Sequence, residues 1–302
     1  MGEPLEDGDM SANPRMDVTR DFIRSKRPCT EGYRWYLKRQ EFVSGYQALL
    51  DDLVREGRIE DACWLLDQLG PTDDVLSVDA LDAHALVYAG RIECRGPVEV
   101  ATVLRTGRSL HAGGGVHAGM RLQVGQDLRV AGAVACAGEV KVGSDLRVDW
   151  SLRVQQALEC GGDLRVGWDV EVAGRIHVGG DATVGHGLVG GHDLVCLAGV
   201  RTGDDLVVAG SLEVTRGVVS AGAIHGGKHL ECGWGMRARQ DIVAGGAVRA
   251  GETLQAGGVI ESGSGYGVFA GLAAPMDSWE HCGFVKAGDR PQRLLSGWWA
   301  GA

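Results

Sequence analysis

Gln126-Asp-Leu-Arg-Val130 recurs as Ser144-Asp-Leu-Arg-Val148 and Gly162-Asp-Leu-Arg-Val166, then weakens to Gly180-Asp-Ala-Thr-Val184, always at an 18-residue step. A shorter period runs inside it. Every sixth residue from Leu86 to Tyr266 is apolar, 31 positions without a slip, and all but Ala182, Met236 and Tyr266 are Leu, Ile or Val. Loops of varying length would destroy such a phase; stacking of like units preserves it. The unit reads Φ-x-(Val/Cys/Ala)-(Gly/Ala)-x-x, as in Leu128-Arg-Val-Ala-Gly-Ala. Its first and third positions flank an exposed second one, the period-two mark of a short strand with one buried face. The fourth position is mostly Gly or Ala, which suits a tight corner. Three units per step make a three-sided coil. The sequence therefore predicts a mainly β chain, a three-sided parallel β-solenoid. About ten coils at about 4.8 Å each would make a rod of roughly 50 Å.

Outside the periodic run the chain changes character. Residues 1–20 are polar and charged, with Pro4 and Pro14, and are expected to form a disordered tail. Residues 21–79 are expected to form a small helical domain. Thr30-Glu-Gly-Tyr-Arg-Trp-Tyr-Leu-Lys38 suits a short helix, and Tyr46 to Gly70 reads as a helical hairpin. Leu49, Leu50 and Leu53 make one apolar stripe, and Ile59, Cys63, Leu65 and Leu66 much of the other, with Gly57 and Gly70-Pro71 as stops. The hairpin resembles a single pentatricopeptide or tetratricopeptide unit. A lone unit implies neither the RNA nor the peptide binding of those arrays, and a helical cap on the first coil is the expectation. The solenoid is assigned to 80–270. Residues 271–302 break the phase and hold Trp279, Phe284, Trp298 and Trp299, as expected of a C-terminal cap over the last coil.

Composition narrows the function. Net charge is −10 without a Lys/Arg run, which speaks against nucleic acid as a partner. No stretch of 18 apolar residues occurs, so no membrane span is expected. The acidic start Met1-Gly-Glu-Pro-Leu-Glu-Asp-Gly-Asp9 lacks the apolar core of a signal peptide. Cys94, Cys136, Cys160, Cys196 and Cys232 fall at the inward third position. Within one column they lie two coils apart, about 10 Å, too far for a disulfide. They read as small buried side chains in a reducing cytoplasm. No Cys-x-x-Cys or His-Glu-x-x-His occurs, so neither a metal nor a cofactor is expected. Gly222-Ala-Ile-His-Gly-Gly-Lys228 has phosphate-loop spacing, but His229 stands where Ser or Thr must meet Mg²⁺. Threonines are too scattered for an ice-binding ladder.

The 18-residue step also builds surface columns. Asp127, Asp145, Asp163 and Asp181 share one; Arg129, Arg147 and Arg165 share another, two residues along, and are expected to neutralise it. Trp150, Trp168 and His186 share a corner column. A corner can be Gly or Ser, so exposed tryptophans there point to a partner site. The candidate partner-binding residues are Trp150, Trp168, His186, Arg147 and Arg165, with Trp298 and Trp299 as a candidate subunit contact; no catalytic residue is assigned.

Two resemblances bear on function. Phrases such as Gly-Gly-Asp163-Leu-Arg-Val-Gly and Val-Ala-Gly-Ser-Leu-Glu-Val resemble bactofilins, bacterial cytosolic scaffolds without nucleotide that polymerise end to end through open terminal coils. This implies a non-catalytic cytoplasmic scaffold acting through a protein partner or self-association. The helical and aromatic extras have no counterpart there, and as caps they would block end-to-end growth. The six-residue repeat also resembles the hexapeptide acyltransferases, which implies, as the alternative, a trimeric enzyme using acyl-CoA. In that family an outward histidine is the base, and His111, His117, His177 and His225 hold outward positions, with His186 and His192 near corners. Against it, no unit from Leu86 to Tyr266 is interrupted by a pocket-forming loop.

Overall fold

The structure is a computed structural model that describes residues 20–28, 30–39 and 45–302. The chain divides into two compact units, one ending at Gly70 and one starting at Pro71. The first is helical: α1 (Arg20–Ser25), α2 (Thr30–Arg39), α3 (Tyr46–Arg55) and α4 (Ile59–Leu69). The hairpin stripes fall as expected. Leu49, Leu50 and Leu53 of α3 are buried, as are Cys63, Leu65 and Leu66 of α4; Ala62 joins them and Ile59 is only half-buried. Gly57 and Gly70 stop the two helices with φ of +73° and +79°, a region open to glycine. Tyr46 at the start of α3 donates its hydroxyl to the Gly70 carbonyl, 3.1 Å, tying the hairpin ends together. The expected disordered tail lies almost wholly outside the described residues. Among the described residues no helix is long and apolar enough to cross a membrane.

The second unit is the predicted parallel β-solenoid. Its strands form three sheets of 13, 11 and 12 strands, here called faces A, B and C, about 12 turns in all. Successive strands of a coil go to successive faces, and the strands pair in parallel; face A, for example, stacks Leu128–Val130 on Leu146–Val148 and that on Leu164–Val166. From Leu86, which pairs with Leu104, to Ile242, which pairs with Ile260, every rung keeps the regular 18-residue step. One apolar core fills the prism along its length, with Leu146, Leu158 and Leu164 at 0% exposure.

The prism is longer than the ten coils expected, because turns of other lengths extend it at both ends. At the start Leu76 pairs with Ile92 and Leu81 with Val98, rungs shorter than the regular step by two and by one, which the strict hexad count misses. At the other end Val248 pairs with Val268 and Leu254 with Val285, rungs longer than the regular step by two and by thirteen. The aromatic C-terminal segment thus adds strands to the prism: Phe284–Lys286 and Trp298–Trp299 extend face A, and Leu294–Ser296 extends face C.

The inward cysteines are unpaired and buried, as their spacing requires. They also do something the apolar reading omits. Cys160 Sγ lies 3.2 Å from the Ser144 carbonyl and 3.3 Å from that of Asp163. The hydroxyl of Ser220, at the inward third position of a strand on face A, donates to the Asp204 and Ala223 carbonyls at 2.7 and 3.1 Å. Third-position Cys, Ser and Thr are therefore donors to corner carbonyls that the ladder leaves half-satisfied. Burial pushes the thiols of Cys160 and Cys232 up to about 11 and about 12, so neither is a nucleophile.

Candidate interaction surface

Face A and the corner that follows it carry most of the candidate residues. Arg147 and Arg165 are the outward middle residues of Leu146–Val148 and Leu164–Val166, in register with each other and with Arg129. Their aspartate neighbours do two jobs. One oxygen of Asp163 accepts the guanidinium of Arg165 at 2.7 Å, and Asp127 holds Arg129 at 3.2 Å. Arg147 departs from the expected pattern and pairs with Asp149, 3.2 Å, across the next corner.

The second carboxylate oxygen has a role that charge counting does not reach. Asp145 Oδ1 accepts the Asp163 amide at 2.9 Å, Asp163 Oδ1 the Asp181 amide at 2.8 Å, and Asp181 Oδ1 the Gly199 amide at 2.8 Å. Each amide lies one full coil on, at a corner where the strand ladder has no carbonyl to offer. The other corners repeat the device: Asp205 caps the Ala223 amide at 2.7 Å and Asp193 that of Ser211 at 2.8 Å. The residue just before each capped amide lies against the carboxylate. It is glycine over Asp145, Asp163, Asp193, Asp205 and Asp241, where a Cβ would fall within 2.5 Å of Oδ1. His229, the residue that spoils the phosphate-loop motif, is another such acceptor: its Nδ1 takes the Ala247 amide at 3.0 Å. The motif's Ile224–Gly226 is an ordinary strand of face B. Replacing Asp163 by alanine removes the acceptor of the Asp181 amide and the partner of Arg165. We expect a loss of about 1–3 kcal/mol in chemical denaturation, with Asp163→Asn, which keeps an acceptor oxygen, losing distinctly less.

The corner column forms as the spacing predicts. Backbone bonds run from the Trp168 amide to the Trp150 carbonyl and from the His186 amide to the Trp168 carbonyl, each 3.2 Å, and Asp204 continues the column at 3.0 Å. Trp150 and Trp168 are 66% and 55% exposed, so they lie outside the core. His186 stacks on Trp168 with ring centroids 5.1 Å apart and planes 9° from parallel. It occupies the slot beside Asp169 that glycine holds elsewhere, and its Nδ1 meets Asp169 Oδ1 at 2.7 Å. That hydrogen bond raises the His186 pKa above its ordinary 6.5, with further help from the charges of Asp169 and Asp204. At Asp169 partial desolvation pushes upward, but the bonds from His186 and the Gly187 amide outweigh it and the carboxyl titrates low. The raised histidine favours the protonated, stacked form. Its contribution is complete below pH 6.5 and is lost as pH rises through the higher folded value. A proton-NMR titration should therefore place His186 above 6.5 and Asp169→Asn should lower it, while Trp168 fluorescence follows the same midpoint.

Trp298 and Trp299 are not part of this cluster. They end face A, eight strand spacings, or about 38 Å, from Arg147. Trp299 packs on the core, and Trp298, 39% exposed, leans on Phe284 with ring centroids 5.9 Å apart. Of the outward histidines, His117 and His177 are exposed and His111 and His225 half-buried. They lie on faces A, B and C, and His111 lines a groove of about 690 Å³ on the N-terminal half of face A.

Sequence reasoning stops the arginine column at Arg165, where Thr183 interrupts it. The same 18-residue count, carried on, reaches Arg201 and Arg237, and strand pairing adds Lys286 beside Gln255. These cations line a groove on the C-terminal half of face A, with a cavity volume of about 780 Å³. The candidates Arg147 and Arg165, like Arg129 beside them, are already matched by carboxylates; these later cations are not among the ion pairs of the described residues.

In comparisons with known proteins, residues 16–69 match the YdhT N-terminal domain family. That match covers the helical unit and leaves the solenoid outside it. None of the curated proteins and none of the solved structures compared with the chain matches it.

Proposed function

We propose that the chain is a non-catalytic scaffold of the bacterial cytoplasm that works through protein contacts, including contacts with its own copies. The observation that carries this reading is the unbroken run of 18-residue coils, which holds side chains in straight exposed columns. Such a rod offers long linear surfaces at fixed spacing, as a scaffold requires. The exposed Trp150 and Trp168 supply rigid apolar contact area beside charged residues, the composition of an interaction hot spot. The resemblance of the repeat to bactofilins supports the same role.

Light scattering of the purified full chain, with and without acyl-CoA, tests it. A scaffold gives assemblies or a defined complex indifferent to acyl-CoA, and Trp150→Ser with Trp168→Ser weakens partner capture without lowering the melting temperature. A discrete trimer whose melting temperature rises with acyl-CoA would overturn the reading in favour of an acyltransferase.

A further inference from the structure

The groove on the C-terminal half of face A is chemically unlike the rest of the molecule. Arg201, Arg237, Arg239 and Lys286 line it, all exposed, and no Asp or Glu does. In a chain of net charge −10 that is a local inversion of sign. The outward row of face B runs the other way, with Asp82, Glu99, Glu171 and Glu261 against Arg153 alone. Exposed like charges held in one groove repel one another, and nothing in the prism requires them: Thr183, Val219 and Gln255 fill the same outward position on alternate strands. The arrangement gains free energy when a complementary anion arrives.

The spacing selects the anion. Arg201, Arg237 and Lys286 sit on every second strand, so neighbouring cations are about 9.6 Å apart along the axis. The rungs between them present Val219, 40% exposed, and Gln255. A polypeptide with three residues per turn, rising about 3.1 Å per residue, brings every third side chain to one side about every 9.3 Å. An acidic segment with a carboxylate at each third residue therefore matches the groove over three contacts. No aromatic side chain lines it, so the stacking platform that a single-stranded nucleic acid would use is missing.

This chain carries such a segment. Glu3, Glu6 and Asp9 are evenly spaced at every third position, with Pro4 among them. Asp9 lies eleven positions before Arg20, a reach of up to about 36 Å. We propose that the groove docks the stretch Glu3–Asp9 of a second copy, with Glu3, Glu6 and Asp9 set against Arg201, Arg237 and Lys286. The proposal rests on the reading of the chain as a self-associating scaffold and supplies the contact: the acidic start of one copy on the basic half-face of the next. The contact joins unlike surfaces of the two copies, so it builds chains, rings or a pair in which the two segments are exchanged reciprocally.

Sedimentation of the full chain at low and high salt is the test. The wild type should associate at low salt and dissociate at high salt. The variant with Glu3→Gln, Glu6→Gln and Asp9→Gln, and the variant with Arg201→Glu and Arg237→Glu, should each raise the dissociation constant by about tenfold or more. The decisive arm is exchange: a chain with Glu3→Lys, Glu6→Lys and Asp9→Lys mixed with the Arg201→Glu, Arg237→Glu chain should assemble although neither does alone. All substituted positions on face A are exposed, and unchanged circular dichroism confirms folding. Association that survives both sets of changes overturns this proposal while leaving the scaffold reading intact, since copies then meet through another surface. A wild type monomeric at every concentration overturns the proposal, and if acyl-CoA also protects it the scaffold reading falls too. Binding of an oligothymidine probe that needs Arg201 and Arg237, without self-association, assigns the groove to nucleic acid and overturns the proposal.

Discussion

Leu164→Asp should break the rod near its middle. Leu164 is fully buried, stacked in register between Leu146 and Ala182. Truncation to alanine alone costs about 2–5 kcal/mol for a buried leucine, and Ala182 on one side leaves little to fill the space. The carboxylate adds the penalty of a buried charge without a partner, several kcal/mol more. A compact core would pass that strain to the whole domain. In a solenoid each coil touches only its neighbours, so stability is nearly a sum of intrinsic and interface terms and the damage stays local. Guanidinium unfolding, followed by far-UV circular dichroism, should become biphasic, and limited proteolysis should gain a cut close to residue 164 that the wild type resists. A single transition at the wild-type midpoint would show that this column does not carry the core.

Loss of chain length should matter by its remainder and hardly at all by its size. Deleting Leu164–Asp181 removes one whole coil and rejoins Asp163 to Ala182, so Leu146–Val148 can stack on Ala182–Val184 with every inward residue still inward. Deleting Leu164–Gly180, shorter by a single residue, leaves Asp181 as an extra residue; unless a corner bulges it out, as the longer rung from Val248 to Val268 does, it shifts the phase of everything downstream. Because side chains alternate across a strand, a shift of one turns the apolar row outward and the charged row inward. The shorter deletion is the more damaging one. The whole-coil deletion should keep a cooperative melt within a few degrees of the wild type, roughly the change from one interface among many. The out-of-phase deletion should give a broad, early melt and bind a hydrophobic dye.

The fold is legible in the sequence because its information is periodic. Strand, corner and inward residue are each fixed by position in a six-residue unit, and three units fix the coil, so a count along the chain predicts which residues stack: Trp150 under Trp168, and Arg147 beside Arg165. The count weakens where the period does. The shortened rungs of the first turn and the much longer rung from Leu254 to Val285 cannot be recognised by a fixed step, and so the sequence presents the aromatic end as a separate cap. The corner aspartates escape for a different reason. Their column is visible and so are two of their ion pairs, but the bond from Asp163 Oδ1 to the Asp181 amide depends on which backbone groups a corner leaves unpaired, and that is a matter of three-dimensional geometry. One trace of it is in the sequence, glycine recurring one position short of a full coil after an aspartate. The groove cations lie on a column the count already follows; Thr183 ends it one rung before Arg201.

The rows of side chains exist only if each full coil climbs one strand spacing. Spin labels placed in pairs on the outward row of face C measure that climb. Lys141, Glu213 and Arg249 lie on this row, four and six rungs apart, and are linked strand by strand in register. Double electron–electron resonance should give a Lys141–Glu213 distance of about 19 Å and a Lys141–Arg249 distance of about 29 Å, about 4.8 Å per rung, on otherwise unchanged protein. Two distances that do not grow in that proportion would contradict the stacked prism, and with it the acidic corner ladder, the tryptophan column and the basic groove.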